Sequence, residues 1–151
     1  MKPIATVTRL EISTDKDRLD IELIHGFLSQ TSTWARGIPL ATVRKSIANS
    51  LCFGAYLDQR QIGFARAISD YATFANLADV FVLTEHRGLG YSEALVQAVL
   101  THPELQGLRR FTLVTTSAHG LYAKFGFTAV DLPHTFMERY VPNIYLNKSP
   151  T

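Results

Sequence analysis

The stretch "VFVLTEHRGLGYSEAL", Val80 to Leu95, decides how the rest of the chain is read. Val80 to Leu83 is an apolar run of the kind buried in a sheet, and it breaks into the basic, glycine-bearing loop Thr84 to Gly90. A helix follows from about Gly90 to His102: Tyr91, Leu95, Ala98 and Val99 share one face, and Pro103 stops it. A basic glycine loop between a strand and a helix is suited to an anion. Glycines let the backbone approach closely and aim its N–H groups, and the helix N-terminus adds partial positive charge.

Upstream, Ile4 to Ile12 alternates like a strand, and Asp17 to Gln30 carries Leu19, Ile21, Leu23, Ile24, Phe27 and Leu28 at helical spacing. "STWARGIP" (32–39) interrupts the pattern, and Leu40 to Asn49 reads as a second helix, with Val43 and Ile47 four apart. "LCFGAYLDQRQIGFARAISD" (51–70) holds two β-rich runs around the polar turn Asp58 to Gln61, a hairpin pattern. A short loop from Tyr71 to Phe74 leads into a strand from Ala75 to Leu83. Downstream, "RRFTLVTT" (109–116) is a strand, and Ala118 to Phe125 is a short helix closed by Gly126 as a left-handed cap. "FTAV" (127–130) and "TFMERY" (135–140) read as a closing pair of strands.

The middle three strands form an antiparallel meander. The strand–helix–strand unit from Ala75 to Thr116 needs a crossover, so it adds a parallel pair. The expected fold is α/β of the α+β type: a mixed, mostly antiparallel sheet of six or seven strands with helices on both faces.

The 151 residues suit one domain, 1–151, and an apolar share of 46% places the chain among globular proteins. A net charge of +2, from 15 basic and 13 acidic residues scattered along the chain, argues against a nucleic-acid groove. The single cysteine, Cys52, rules out an internal disulfide framework; between Leu51 and Phe53 it reads as a buried thiol, and a cytoplasmic location is expected. "MKPIATVTRL" lacks a signal peptide's apolar region, and no run is long enough to span a bilayer. His25, His102 and His134 are scattered, without metal-ligand spacing.

Three families of anion loop compete for residues 87–92. A nucleotide-triphosphate loop needs a lysine after its last glycine, and none follows Gly90. A dinucleotide fingerprint starts well at Gly88-Leu89-Gly90, but Glu93 stands in place of its third glycine and the preceding strands form a meander. The third family fits better. Arg87-Gly88-Leu89-Gly90-Tyr91-Ser92 resembles the pyrophosphate loop of the GNAT superfamily of N-acetyltransferases: Arg or Gln, two residues, Gly, any residue, then Gly or Ala. Ser92 departs at the last position; serine is small and its hydroxyl suits a helix start. "LYAKFGF" (121–127) resembles the superfamily's later motif, a helix with a tyrosine ending in Gly-Phe. The resemblance runs from about Leu51 to Val130 and makes that stretch the cofactor-binding core.

The resemblance implies that the anion is the pyrophosphate of coenzyme A, cradled by backbone N–H groups from Arg87 to Ser92, Leu89 and Tyr91 included. The pantetheine arm would lie where the strand ending at Leu83 splays from the one starting near Arg110, pairing with backbone around Phe81, Val82 and Leu83 like an added strand. The implied activity is acetyl transfer from acetyl-CoA to a primary amine by direct attack in a ternary complex. No metal is implied, and neither nucleic acid nor membrane is an expected partner; a homodimer is left open. Transfer of a longer acyl group such as succinyl, or a non-catalytic acyl-CoA-binding module, are the alternatives. Cys52, on a strand before the cofactor region, argues against an acetyl-cysteine intermediate.

Acetyl transfer needs a base for the amine, a donor for the carbonyl oxygen and an acid for the departing thiolate. Tyr122 matches the superfamily's acid; packing alone is its other reading. Asp79 sits in an otherwise apolar strand, either as the base or paired across the hairpin with Arg66, which falls opposite it if the turn centres between Ala72 and Thr73. His119, three residues before Tyr122, either relays a proton or caps the helix. Trp34 and Arg36 between the first two helices are candidate acceptor contacts, with Tyr71 and Phe74 as a further wall; packing and solvation are the plain alternatives.

Overall fold

The computed structural model describes residues 9–146. The strand expected from Ile4 lies largely outside that range; within it, β1 (Glu11–Ser13) pairs with the next strand. The helical pattern from Asp17 to Gln30 resolves into three pieces. Lys16–Arg18 is one turn of 3-10 helix, α1 (Ile21–Gly26) follows, and Phe27–Thr31 is wound as a π-turn. Two aspartates divide it: the carboxylates of Asp15 and Asp20 accept from Asp17 N and Leu23 N, so each starts a separate turn. α2 (Leu40–Ala48) buries Val43 and Ile47, as their spacing requires.

β2 (Leu51–Leu57) and β3 (Arg60–Ser69) form the hairpin, joined through Asp58 and Gln59, both at positive φ (48° and 69°). Two successive left-handed residues give the turn that matches the twist of antiparallel strands. β4 (Phe74–Val82) continues the meander, α3 (Tyr91–Thr101) crosses over, and β5 (Arg110–Leu113) returns parallel to β4. α4 (His119–Ala123) ends the regular structure, with Gly126 at φ 88° after it. The sheet order is β1-β2-β3-β4-β5.

Alternation along the strands sends side chains to two cores. Phe53, Ala65, Leu77 and Val82 pack under Leu95 and Val99 of α3, with Tyr122 of α4. Cys52, Phe64 and Phe81 pack under Ile24 of α1 and Val43 and Ile47 of α2.

The sheet has five strands among the described residues, where six or seven were expected. "FTAV" and "TFMERY" form no strands: residues 127–132 are irregular and Pro133–Thr135 is one 3-10 turn. A strand exists only when a partner supplies its hydrogen bonds, and the outer edge of β5 receives none from this stretch. β5 is also shorter than the run 109–116, because its ladder with β4 stops at the pair Leu77–Leu113.

Candidate active site

The glycine loop begins where β4 leaves the sheet. Leu83 N donates to Ile62 O (2.8 Å), a 3-10 turn spans Thr84–His86, and Gly88 and Gly90 take φ values of 79° and 81°. L-residues other than glycine adopt that region only at a cost, so both positions require glycine for conformation. At each, the space a β-carbon would fill is open. The first carbonyl bond of α3 is Ala94 N to Gly90 O (3.1 Å), which leaves the amides of Tyr91, Ser92 and Glu93 without partners among the described residues. They open on a cavity of about 190 Å³ lined by Val82, His86, Arg87, Gly88, Ser92 and Leu121, among others. Free amides at a helix N-terminus, beside glycines with room over them, fit a pyrophosphate. Arg87 is engaged: its Nε donates to Val82 O (3.2 Å) and fastens the loop to the strand. Glu93, the one acid in the first turn of α3, pairs with Lys124 (2.7 Å), which ties α3 to α4 and offsets the carboxylate's charge.

Beside the loop the sheet opens. β4 and β5 are paired only from Phe74–Arg110 to Leu77–Leu113, so β4 beyond Leu77 has no neighbour on that side among the described residues. The Leu83 amide faces β3, and alternation turns Phe81 the same way. Val82 alone of Phe81, Val82 and Leu83 presents backbone groups to the gap. The Phe81 ring is core, stacked on Phe27 at 3.9 Å and 8°.

Opposite this gap the β3–β4 register shifts by one residue. Arg66 faces Ala78, whereas Phe64 faces Phe81, so Asp79 and Val80 together oppose the single residue Ala65. In a regular strand Asp79 would point to the face opposite Arg66. The bulge, with Asp79 at φ 54°, returns its carboxylate to the same face. Arg66 Nε then donates to Asp79 Oδ2 (2.9 Å) and Trp34 Nε1 to Asp79 Oδ1 (2.9 Å), while Arg66 Nη1 reaches Ser50 Oγ (3.2 Å). The cross-strand ion pair therefore exists, one residue out of the expected register. Both carboxylate oxygens are taken by donors, so Asp79 stands as a bracket between the sheet and the α1–α2 link. The Trp34 contact was missed from sequence: an exposed indole 45 residues from Asp79 gives no local sign of its acceptor.

Trp34 leaves half its ring exposed (52%) beside that bracket, and Arg36 is exposed with no ion pair among the described residues. Tyr71 and Phe74 do not join them. They sit at the β3–β4 turn, and Phe74 is five strand positions from Asp79, about 16 Å at ~3.3 Å per residue.

On the other face of the sheet, α4 carries the remaining candidates. Tyr122 is buried and edge-on to Phe127 (6.0 Å), and burial raises its pKa above the ordinary tyrosine value. Its hydroxyl makes no hydrogen bond among the described residues. Exposed His119 and Tyr122 both line a larger cavity of about 1,070 Å³, bounded by β5 and the stretch after α4. Leu121, between them, lines the loop cavity. One short helix thus borders both spaces. The described residues contain no cluster of His, Cys, Asp and Glu able to hold a metal ion.

Residues 48–129 match the family model for the acetyltransferase (GNAT) domain. The chain belongs to the GNAT acetyltransferase family. A Gibberella zeae protein named as an acetyltransferase is 31% identical over 135 residues, covering 75% of each chain. A crystal structure of a GNAT-family protein from Xanthomonas campestris pv. campestris is 61% identical and superposes with a TM-score of 0.89, over 91% of this chain and 96% of that one. An aminoglycoside N-acetyltransferase solved with coenzyme A shares the fold (TM-score 0.60, 20% identity, 92% and 96% coverage). GNAT acetyltransferases take acetyl groups from acetyl-CoA and pass them to amines, and this chain is an acyltransferase of that family. No helix among its described residues is long and apolar enough to cross a membrane.

Proposed function

We propose that this GNAT acetyltransferase moves an acetyl group from acetyl-CoA to a primary amine by direct attack in a ternary complex, in the cytoplasm. The carrying observation is the glycine loop: three amides at the start of α3 without partners among the described residues, with open space above Gly88 and Gly90, beside a strand gap. These amides hold the pyrophosphate, and the Val82 backbone aligns the pantetheine arm along the gap. The bound thioester supplies the acetyl group. Tyr122, protonated well past neutral pH because it is buried, holds the proton that the departing thiolate needs. His119, on the rim of the same cavity, returns that proton from solvent.

The amine's own proton leaves through water in the gap, and Asp79 serves by fixing Trp34. Exposed Arg36 and the half-exposed Trp34 ring favour an acceptor that carries a carboxylate or an aromatic ring beside its amine. Cys52 takes no part. It is fully buried, and its thiol is pushed up to about 11.

Calorimetric titration with acetyl-CoA, against ATP and NADH, tests the reading. Selective binding of acetyl-CoA, reduced at least tenfold by Gly88→Val or Gly90→Val, is expected. Equal binding of all three nucleotides, or of acetyl-CoA to the variants and the wild type alike, would overturn it.

A further inference from the structure

Helices cover the sheet unequally. Ala67 of β3 and Ala75 and Leu77 of β4 are buried in the core under α3. Alternation puts their neighbours on the opposite face, and there the cover stops short. α1 and α2 close over Cys52, Phe64 and Phe81. Beyond them Ile68 and Phe74 are exposed (42% and 41%), Arg110 is exposed, and Asn76, Ala78 and Thr112 are half-buried. The register lines these residues up across three strands: Ile68 beside Asn76, Asn76 beside Thr112, and Phe74 beside Arg110. The strip has a polar middle. Thr112 Oγ1 donates to Asn76 Oδ1 (2.9 Å), and the Asn76 amide nitrogen has a single long contact, 3.4 Å to Leu77 O.

Each end of the strip carries an unspent positive charge. At one end stands the bracket of Trp34, Asp79 and Arg66, with Arg36 close to Trp34 in the chain. At the other, the Arg110 guanidinium lies 5.0 Å from the centre of the Phe136 ring. A guanidinium stacked on a ring keeps its edge N–H groups for a carboxylate. Neither Arg110 nor Arg36 has an ion pair among the described residues. Asp70, at the same turn as Phe74, spends its carboxylate locally on Ala72 N, Thr73 N and Thr73 Oγ1. Length then decides what fits. Phe74, level with Arg110, is five strand positions from Asp79, about 16 Å at ~3.3 Å per residue. A single amino acid is too short to touch both ends, and an extended peptide of about five residues spans them.

We propose that the acceptor is an acidic peptide segment laid extended over this face, its reacting amine at the Asp79 end and a carboxylate near its fifth residue held by Arg110. The inference rests on the proposed function, which sets the thioester in the gap between β4 and β5. Trp34 and Arg36 receive the residue that carries the amine, Asn76 donates to the peptide backbone in mid-course, and Arg110 sets the preference for acid. The transfer itself is unchanged. The amine nitrogen bonds the acetyl carbon, the C–S bond breaks, the thiolate takes its proton from Tyr122, and the amine's proton goes to water.

The probes are two pentapeptide amides with a free amino terminus, alike except for glutamate or glutamine at the last position, beside free glutamate. Thiol release from saturating acetyl-CoA should show kcat/KM about tenfold higher for the glutamate peptide than for the glutamine one, and higher again than for the free amino acid. Arg110→Gln, a change at an exposed side chain, should keep the melting profile and kcat and raise KM for the glutamate peptide until the two peptides match. Arg110→Lys should restore part of the preference. Equal kinetics for the two peptides, a preference that survives Arg110→Gln, or turnover of free amino acids alone would overturn the proposal. Trp34 is the sole tryptophan, so its emission reads peptide binding apart from turnover. Binding of acetyl-CoA without discrimination between the peptides sinks the peptide site alone. Selective binding of the glutamate peptide by a protein that does not take acetyl-CoA sinks the cofactor reading alone.

Discussion

The two faces of the sheet treat their proton-bearing side chains in opposite ways. On the α1–α2 face, Asp79 gives both oxygens to Arg66 and Trp34, and the Phe27–Phe81 stack seals the core beside it. On the α3–α4 face, the Tyr122 hydroxyl is free of partners among the described residues, and Tyr122 lines a cavity. A carboxylate with a donor on each oxygen ties elements together, whereas a hydroxyl without a protein partner is left to solvent or ligand. The contrast fits a framework role for Asp79 and the proton transfer proposed above for Tyr122.

The sharpest way to break that assignment is Asp79→Ala. It strands the Arg66 guanidinium, 15% exposed, without its carboxylate and should cost about 3–5 kcal/mol in denaturant unfolding. Unchanged stability with abolished turnover would move Asp79 to the chemistry and end the contrast. Tyr122→Phe should do the reverse: turnover falls about 10²-fold or more, while acetyl-CoA affinity and melting temperature hold. Normal turnover across a panel of good amine acceptors would remove Tyr122 from the proton path.

A smaller effect probes the sealed face by pH. Cys52 keeps its proton to about 11 when folded, against an ordinary value of 9.0. The unfolded chain loses that proton first as pH rises, so stability is undiminished below 9 and falls between those values. The loss is of order 2–3 kcal/mol at ~1.4 kcal/mol per unit. Urea unfolding from pH 8 to 11 should show it, and Cys52→Ala should flatten that limb. The smallest change belongs to the open face. Lys124→Ala removes an exposed pair with Glu93 and should shift stability by under about 1 kcal/mol, with a slight loosening of acetyl-CoA binding, both read by thermal unfolding with and without the nucleotide.

How much of this was legible in the sequence follows the reach of the forces involved. β2 and β3 could be read because two β-rich apolar runs, buried on both faces, are broken by the polar turn at Asp58, and α2 because Val43 and Ile47 sit one turn apart. Gly88 and Gly90 announced the loop because their backbone angles exclude other residues. The pair Arg66–Asp79 was visible as two unlike charges in apolar strands, but the bulge beneath it was not. A single left-handed aspartate leaves no periodic trace, so the register came out one residue off. The π-turn at Phe27–Thr31 was hidden for the same reason: its apolar spacing still passes for a regular helix. "TFMERY" shows the limit from the other side. Its alternation records a strand's chemistry, while forming the strand depends on a partner the local pattern does not name.

The bracket of Trp34, Asp79 and Arg66 also limits how the protein can change over generations. Losing Asp79 first leaves a nearly buried cation alone, and losing Arg66 first leaves an anion in the same position. Each one-step path away from the trio passes through a weakened intermediate, so the three are inherited as a block. Lineages that adopt a new amine would do so at neighbours such as Arg36, which face water and carry no such debt. Selectivity can then drift while the frame around it stays fixed.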